Sequence, residues 1–322
     1  PRPLLPEGSL QQLFMQQRGL AEGIGEWAFY LAALLMVLAL IKRFPYRRFV
    51  QTHRWLAVTY LALVLHSVVL VKFDYWSTPL GFALAALMAG GSIAAVMSLL
   101  GKRAGATAVA GKVVALEALA EVSVLAVDIQ LAGAWRGHAA GQFAFVTFHD
   151  DEGPHPFSIA SCWKNDGHIR FLIKGLGDYT RQLPDTLAVG QPVTVEGPYG
   201  RFSFAGGKAR QVWVAGGIGI TPFIAWLEKL AERGEQRPQT RLIYCVARHE
   251  DLLFADRLRQ LTQACGIQLQ LLERDRDPRL EFGQLFQDAK SRCWFCGPLR
   301  MRQALARYLS SQRLHYERFD FR

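Results

Sequence analysis

Val212-Trp213-Val214-Ala215-Gly216-Gly217-Ile218-Gly219-Ile220-Thr221-Pro222 is the stretch that decides the fold of the larger part of this chain. Its first four residues are apolar and read as a short buried strand. The glycines then form a turn, and residues 223–233 carry helical periodicity. A second apolar strand follows at residues 242–246. Strand, glycine-rich turn and helix make the βα unit that sets a dinucleotide phosphate against helix amides. Gly216, Gly217 and Gly219 leave out the side chains that would block a close approach. The spacing is not GxGxxG, so the turn alone does not specify a generic dinucleotide domain.

Upstream, residues 109–195 follow a different rhythm. Short β-branched and aromatic segments, at 122–129, 142–148 and 169–173, alternate with glycine-rich turns. That pattern predicts a small antiparallel barrel. The fold class expected is therefore a multidomain chain: a helical membrane part (1–104), an antiparallel β-barrel (105–207) and an α/β nucleotide domain (208–322).

The first hundred residues carry the membrane expectation. The whole chain has 322 residues, 51% hydrophobic, 20% charged and a formal charge of +10, yet its mean hydropathy is only +0.10. The apolar residues are concentrated at the front, in runs at 27–41 (extended back to Gly19), 55–71 and 79–100. Each approaches the roughly 20 residues that cross about 30 Å of hydrocarbon. With 20 Phe and 8 Trp the chain can build packed cores, which excludes disorder. Five cysteines make no disulfide framework. Between the first two runs lie Lys42, Arg43, Arg47 and Arg48, and Lys102 and Arg103 follow the third. The positive-inside rule places those loops, and everything after residue 100, in the cytoplasm. Localisation in the inner (plasma) membrane is expected, with membrane lipid around the spans and no nucleic-acid partner.

Two histidines sit on the second run. His53 is at its cytoplasmic mouth and His66 is in its outer third. A histidine inside a membrane helix is a functional hypothesis by default. Thirteen residues separate the two, about 20 Å along a helix axis, which suits two haems stacked through a bilayer. Ideal geometry puts them about 140° apart around the axis, so tilt or local distortion is required. The alternative for His53 is an interfacial residue bonded to headgroups.

Five motifs occur in order: His155-Pro156-Phe157-Ser158, Gly177-Asp178-Tyr179-Thr180, Gly197-Pro198-Tyr199-Gly200, residues 216–222, and Cys296-Gly297-Pro298. Behind such a helix, this order resembles the ferredoxin-NADP reductase type flavoprotein module of the NADPH oxidase and ferric reductase superfamily. The runs before it resemble the last three of that superfamily's six membrane helices. The first three, which hold the partner histidines, are expected from a longer chain or from a partner chain.

The resemblance implies transmembrane electron transfer from cytoplasmic NAD(P)H through FAD and two b-type haems to an outer acceptor. Dioxygen, giving superoxide, is the first choice. A ferric chelate is the alternative, as is a role supplying electrons to a membrane partner protein. It also implies roles for particular residues. Pro156, Phe157 and Ser158 lie along the isoalloxazine, and Ser158 is near the atom that receives hydride. His155 contacts the phosphate or ribityl side, and Gly177 and Thr180 bind the pyrophosphate. Gly197 and Gly200 belong to the flavin-side turn. Gly216, Gly217, Gly219 and Thr221 line the nicotinamide nucleotide phosphates, while Cys296, Gly297 and Pro298 flank the nicotinamide. His53 and His66 ligate the inner and outer haems. A terminal aromatic, Phe321 rather than Phe319, covers the flavin.

Arg248, after the strand at 242–246, is placed to reach the adenosine ribose, and its guanidinium favours NADPH over NADH. Cys293 and Cys296 read as C-x-x-C. On a strand, positions three apart point to opposite faces, so neither a disulfide nor a shared metal is expected.

Overall fold

The structure is a computed structural model and describes residues 16–41, 46–100, 108–133, 135–204, 210–248, 252, 254–273, 291–309 and 313–317. The chain parts into two compact units between residues 106 and 107. The expected domain boundaries at 104/105 and 207/208 fall outside the described residues.

The first unit contains α1 (Arg18–Leu40), α2 (Tyr46–Leu70), a short 3-10 turn (Phe73–Ser77) and α3 (Pro79–Leu99). Pro79 is at the first helical position, where its missing N–H costs nothing, and the Thr78 hydroxyl accepts from the Gly81 amide at 3.0 Å. Small residues set the packing. A Cβ at Gly25 of α1 would overlap the His66 ring of α2, and one at Gly91 of α3 would overlap the Tyr60 hydroxyl. Of the three expected spans, α1 and α3 are long and apolar enough to cross a membrane. The second differs. α2 starts at Tyr46 and its first turns carry Arg47, Arg48, Gln51, His53 and Arg54, leaving an apolar helical stretch of only Arg54–Leu70.

The second unit opens with β1 (Ala108–Leu119), β2 (Val124–Leu131), β3 (Phe143–Thr147), β4 (His155–Ser158), β5 (His168–Lys174), α4 (Asp178–Thr186) and β6 (Pro192–Tyr199). The strands form one antiparallel sheet in the order β4-β3-β6-β1-β2-β5. An antiparallel bridge between Ile159 and Phe171 ties the end of β4 to β5 and closes the barrel. Val113, Val127, Ile129, Val146, Ile169 and Phe171 fill its interior.

Next come β7 (Gln211–Gly216), α5 (Thr221–Glu232), β8 (Thr240–Val246), α6 (Ala255–Ala264), β9 (Gln268–Glu273), β10 (Arg292–Cys296), α7 (Leu299–Ala306) and β11 (Leu314–Tyr316). These strands are parallel, in the order β11-β10-β7-β8-β9. Every residue of β7 is buried, as expected of a central strand covered on both faces. The barrel and the parallel sheet share one apolar cluster. Val124, Ala126, Leu172, Phe202 and Phe204 from the barrel pack with Trp213, Phe223, Leu227 and Trp294.

Candidate active site

Strand order reverses between β7 and β10, and ligands of open α/β sheets bind beyond the strand ends at such a switch point. The structure brings two of the motifs together there. Ala215 pairs with Cys296, so Gly216 lies beside Gly297. A Cβ on Gly297 would come within 3.0 Å of the Gly216 backbone, and one on Gly219 would overlap the Cys296 carbonyl. These glycines let β7 and β10 close on each other. Gly217 differs: its φ is +56° and the space over it is open, so it offers bare backbone outward. Thr221 is buried, with its hydroxyl donating to the Ile218 carbonyl at 2.7 Å, and so braces the turn. Pro298 is exposed, lies against Gly216 and precedes α7.

The flavin-side motifs also meet. β4 carries His155, Pro156, Phe157 and Ser158, all half-buried, with Ser158 opposite Phe143. Tyr179, in the first turn of α4, stacks on His155 with ring centroids 4.4 Å apart and 20° between planes. The Tyr179 hydroxyl lies 3.3 Å from His149 Nδ1. Glu152 Oε1 is 3.6 Å from His155 Nε2. Burial lowers the pKa of His155 and raises that of Tyr179. The Thr180 hydroxyl accepts from the amides of Leu176 and Gly177 at 3.1 and 3.0 Å. It therefore shapes the loop into α4 and leaves the first-turn amides, which no helix carbonyl can reach, to face an anion. Gly177, the N-cap residue, is exposed.

A third contact set joins the two halves. Gly197 (φ +149°) and Gly200 (φ +93°) shape the turn that ends β6. A Cβ on Gly200 would come within 3.1 Å of both Phe143 and Glu317 Oε1. Glu317 follows β11, its amide donating to the Phe295 carbonyl at 3.4 Å. Its Oε2 is buried and has no hydrogen-bond partner among the described residues, and burial pushes its pKa up to about 7. Cys296 is fully buried, and burial together with the Glu317 charge holds its thiol protonated. A continuous line of contacts thus runs from Ser158 through Phe143 and Gly200 to Glu317 and the end of β10. A cleft of about 410 Å³ opens alongside, between residues 201–203 and β11.

The remaining predicted residues are dispersed. Arg248 is exposed just after β8. His66 is in the helical unit, its Nδ1 2.7 Å from the Ala21 carbonyl. His53 lies on α2, but its side chain is outside the described residues, as are Phe319 and Phe321. Among the described residues, no group of three or more His, Cys, Asp or Glu is arranged to hold a metal ion. Two residues escaped the sequence reading. Tyr179 stood inside a quoted motif without a role, and its aromatic side chain next to a helix start was the available signal. Glu317 gave none, because its burial depends on a turn far away in the chain.

A closed antiparallel barrel with an exposed helix start, joined to a parallel sheet whose switch point carries a glycine turn, is the two-domain arrangement expected of a flavin- and nicotinamide-dependent oxidoreductase. The comparisons agree. Residues 110–203 match an FAD-binding domain and residues 213–307 an oxidoreductase NAD-binding domain. The chain carries an FAD-binding domain and an oxidoreductase NAD-binding domain, the two domains of the ferredoxin-NADP reductase family.

The chain is 29% identical over 205 residues to the toluate 1,2-dioxygenase electron transfer component of Pseudomonas putida, covering 56% of this chain and 58% of that protein. It is 31% identical over 124 residues to the propane 2-monooxygenase reductase component of Rhodococcus jostii (strain RHA1), covering 38% and 33%. It thus spans between a third and three fifths of the length of these two relatives. Flavohemoglobin from Malassezia yamatoensis, solved with bound FAD and heme, superposes with a TM-score of 0.60 over 95% of this chain and 97% of its own. At 17% identity that likeness shows the fold alone. Both domain matches lie beyond residue 109. They point to the ferredoxin-NADP reductase family at large, so the narrower resemblance to NADPH oxidases and ferric reductases rests on the motifs and the helices.

Proposed function

We propose that this chain is an electron-supplying reductase whose acceptor is a redox partner held at a membrane. NAD(P)H is the substrate, and each turnover gives NAD(P)⁺, a proton and two singly reduced acceptors. Bound FAD supplies the conversion of a two-electron hydride into single electrons. The observation that carries the reading is the line from Ser158 through Phe143 and Gly200 to Glu317 and Cys296, which joins the flavin edge to the nicotinamide end of β7 and β10. His155 and the first-turn amides of α4 hold the flavin diphosphate, and the bare backbone at Gly217 receives the nucleotide phosphate. Arg248 sets the preference for NADPH. The names of the two curated relatives, an electron transfer component and a reductase component, support delivery to a partner protein.

The membrane part of the reading is supported by α1 and α3 and by the cationic residues between α1 and α2. It places a multi-pass helical unit in the inner (plasma) membrane and the flavin module in the cytoplasm. The test is reduction of membrane-bound cytochrome by NADPH in vesicles from the native host. Reduction that disappears when this chain is deleted and returns on complementation supports the reading. Unchanged reduction without the chain refutes it.

A second reading is favoured by His66. Its Nδ1 meets a backbone carbonyl, an acceptor only, so Nδ1 carries a proton, and in the neutral ring the lone pair is then on Nε2. That is the tautomer an axial haem ligand needs. In this reading His66 and His53 would hold the outer and inner haem b groups, together with imidazoles from another part of a longer chain or from a partner. Haem b, when bound, supplies a one-electron relay across the bilayer. Dioxygen, giving superoxide, or a ferric chelate then serves as the outer acceptor. Replacing His66 by Leu in the haem-loaded complex should remove about half the haem absorbance, since each histidine serves one of two groups.

A further inference from the structure

We infer that FAD binding draws a proton onto His155, so that this one side chain ties flavin affinity to pH. The inference rests on the FAD reading of the β4–α4 site. Of the eight residues in the two motifs that meet there, His155-Pro156-Phe157-Ser158 and Gly177-Asp178-Tyr179-Thr180, only His155 can become a cation. Arg181, the next cation along α4, is already engaged at the entry to the helix, with Nη2 donating to the Leu176 carbonyl at 3.2 Å and Nη1 3.7 Å from Asp178. The Thr180 hydroxyl accepts from the Leu176 and Gly177 amides and donates to the Gly177 carbonyl at 3.2 Å.

The imidazole is held in place from two sides. Tyr179 covers one face at 4.4 Å, and Phe157 lies roughly parallel at 6.4 Å. Such a ring cannot swing away from an incoming diphosphate. The charged and titratable groups around it are few. Glu152 is 3.6 Å from Nε2, and Asp151 acts with Glu152 on the Tyr179 phenol. Asp178 opens α4 with its carboxylate in solvent, and His149 meets Tyr179 both at its hydroxyl and edge-on to its ring, with centroids 6.0 Å apart. Burial keeps His155 neutral at pH 7 in the flavin-free protein, and keeps the Tyr179 phenol protonated. A diphosphate arriving within a few ångströms favours the imidazolium by roughly one to three pKa units. Between the free and bound pKa values, binding takes up a proton, and the logarithm of Kd rises with pH at a slope approaching one.

The experiment is calorimetric titration of FAD into the flavin-depleted full chain in detergent, at pH 7, in phosphate and in Tris. These buffers differ in ionisation enthalpy, so the difference in heat counts protons. The expected result is uptake of about 0.5–1 proton per FAD, with Kd rising about tenfold from pH 6 to 8. His155→Arg, which carries its charge permanently, and His155→Gln, which carries none, should both take up no proton and show a flat Kd over that range. His149→Gln should keep the uptake of the unaltered chain. Riboflavin, which lacks the diphosphate, should bind without uptake. Equal uptake by the unaltered chain and both His155 variants overturns the inference, as does loss of uptake in His149→Gln alone. In either case FAD still binds and the flavin reading stands. Failure of FAD to bind at all overturns both.

Discussion

The imidazole of His155 and the phenol of Tyr179 lie nearly face to face, and their stack ties strand β4 to the first turn of α4. One contact therefore holds two flavin-side motifs at a fixed spacing. Tyr179→Leu removes the ring and the hydroxyl together. FAD affinity should fall about tenfold, roughly the worth of one aromatic pair. Tyr179→Phe keeps the stack, loses only the long bond to His149, and should stay within about threefold of the parent, since such a bond is worth about 0.5 kcal/mol. Fluorescence titration with FAD measures both, and equal losses would disprove a stacking role.

The glycine turn separates into structural and ligand-facing positions. Gly219→Ala forces a Cβ into the Cys296 carbonyl, a backbone atom that cannot step aside, and should cost about 1–3 kcal/mol of stability. Gly217→Ala meets open space but must hold φ at +56°, which costs about 1 kcal/mol. The added methyl then stands over the outward-facing backbone, so NAD(P)H binding should weaken. Thermal melts and nucleotide titration separate the two. A Gly217→Ala variant that keeps full nucleotide affinity would remove that glycine from the site.

Glu317 gives stability a pH dependence of known sign. Its folded-state pKa, about 7, lies above its ordinary value of 4.5, so the fold favours the neutral acid. The fold suffers no penalty from it below 4.5, and loses stability as pH rises through 7. Glu317→Gln should melt higher than the parent at pH 8, by the equivalent of roughly 1–2 kcal/mol after solvent screening. The gap should close as pH falls toward 4.5. A gap of equal size at both ends would place the carboxylate in water.

Cys293 and Cys296 belong to different packed clusters on opposite faces of β10. Both are free and fully buried, with thiols that burial holds protonated. Neither should react with a maleimide in the folded protein, and both should react in guanidinium. Formation of a Cys293–Cys296 disulfide under mild oxidant, detected by mass spectrometry, would contradict the strand geometry.

What the sequence conveyed was local. Residues 212–222 spell strand, turn and helix in order, and β7, a 3-10 turn at Gly217–Ile220 and α5 appear where that pattern puts them. The opposite faces of Cys293 and Cys296 follow from strand alternation alone. Juxtapositions between distant segments were not legible. Nothing near Glu317 announces that a tight turn at Gly200, set by a positive φ, will bury it. The start of α2 was hidden for a different reason. Hydropathy marks where a helix turns apolar, near residue 55, whereas the helix continues back through Arg47 and Arg48 to Tyr46 because arginine is a good helix former. The loop contacts of Thr180 were not legible either, since a hydroxyl beside a phosphate site and one capping a helix have the same sequence signature.

The central claim is that one module binds FAD and NAD(P)H so that hydride passes between them without a partner. Anaerobic stopped-flow mixing of the FAD-loaded chain with NADPH, and separately with NADH, tests it most directly. Complete bleaching of the flavin absorbance is expected in a single turnover, with one nicotinamide oxidised per FAD and no added protein. Bound FAD that stays oxidised with both nucleotides, in a chain that still binds them, would contradict it.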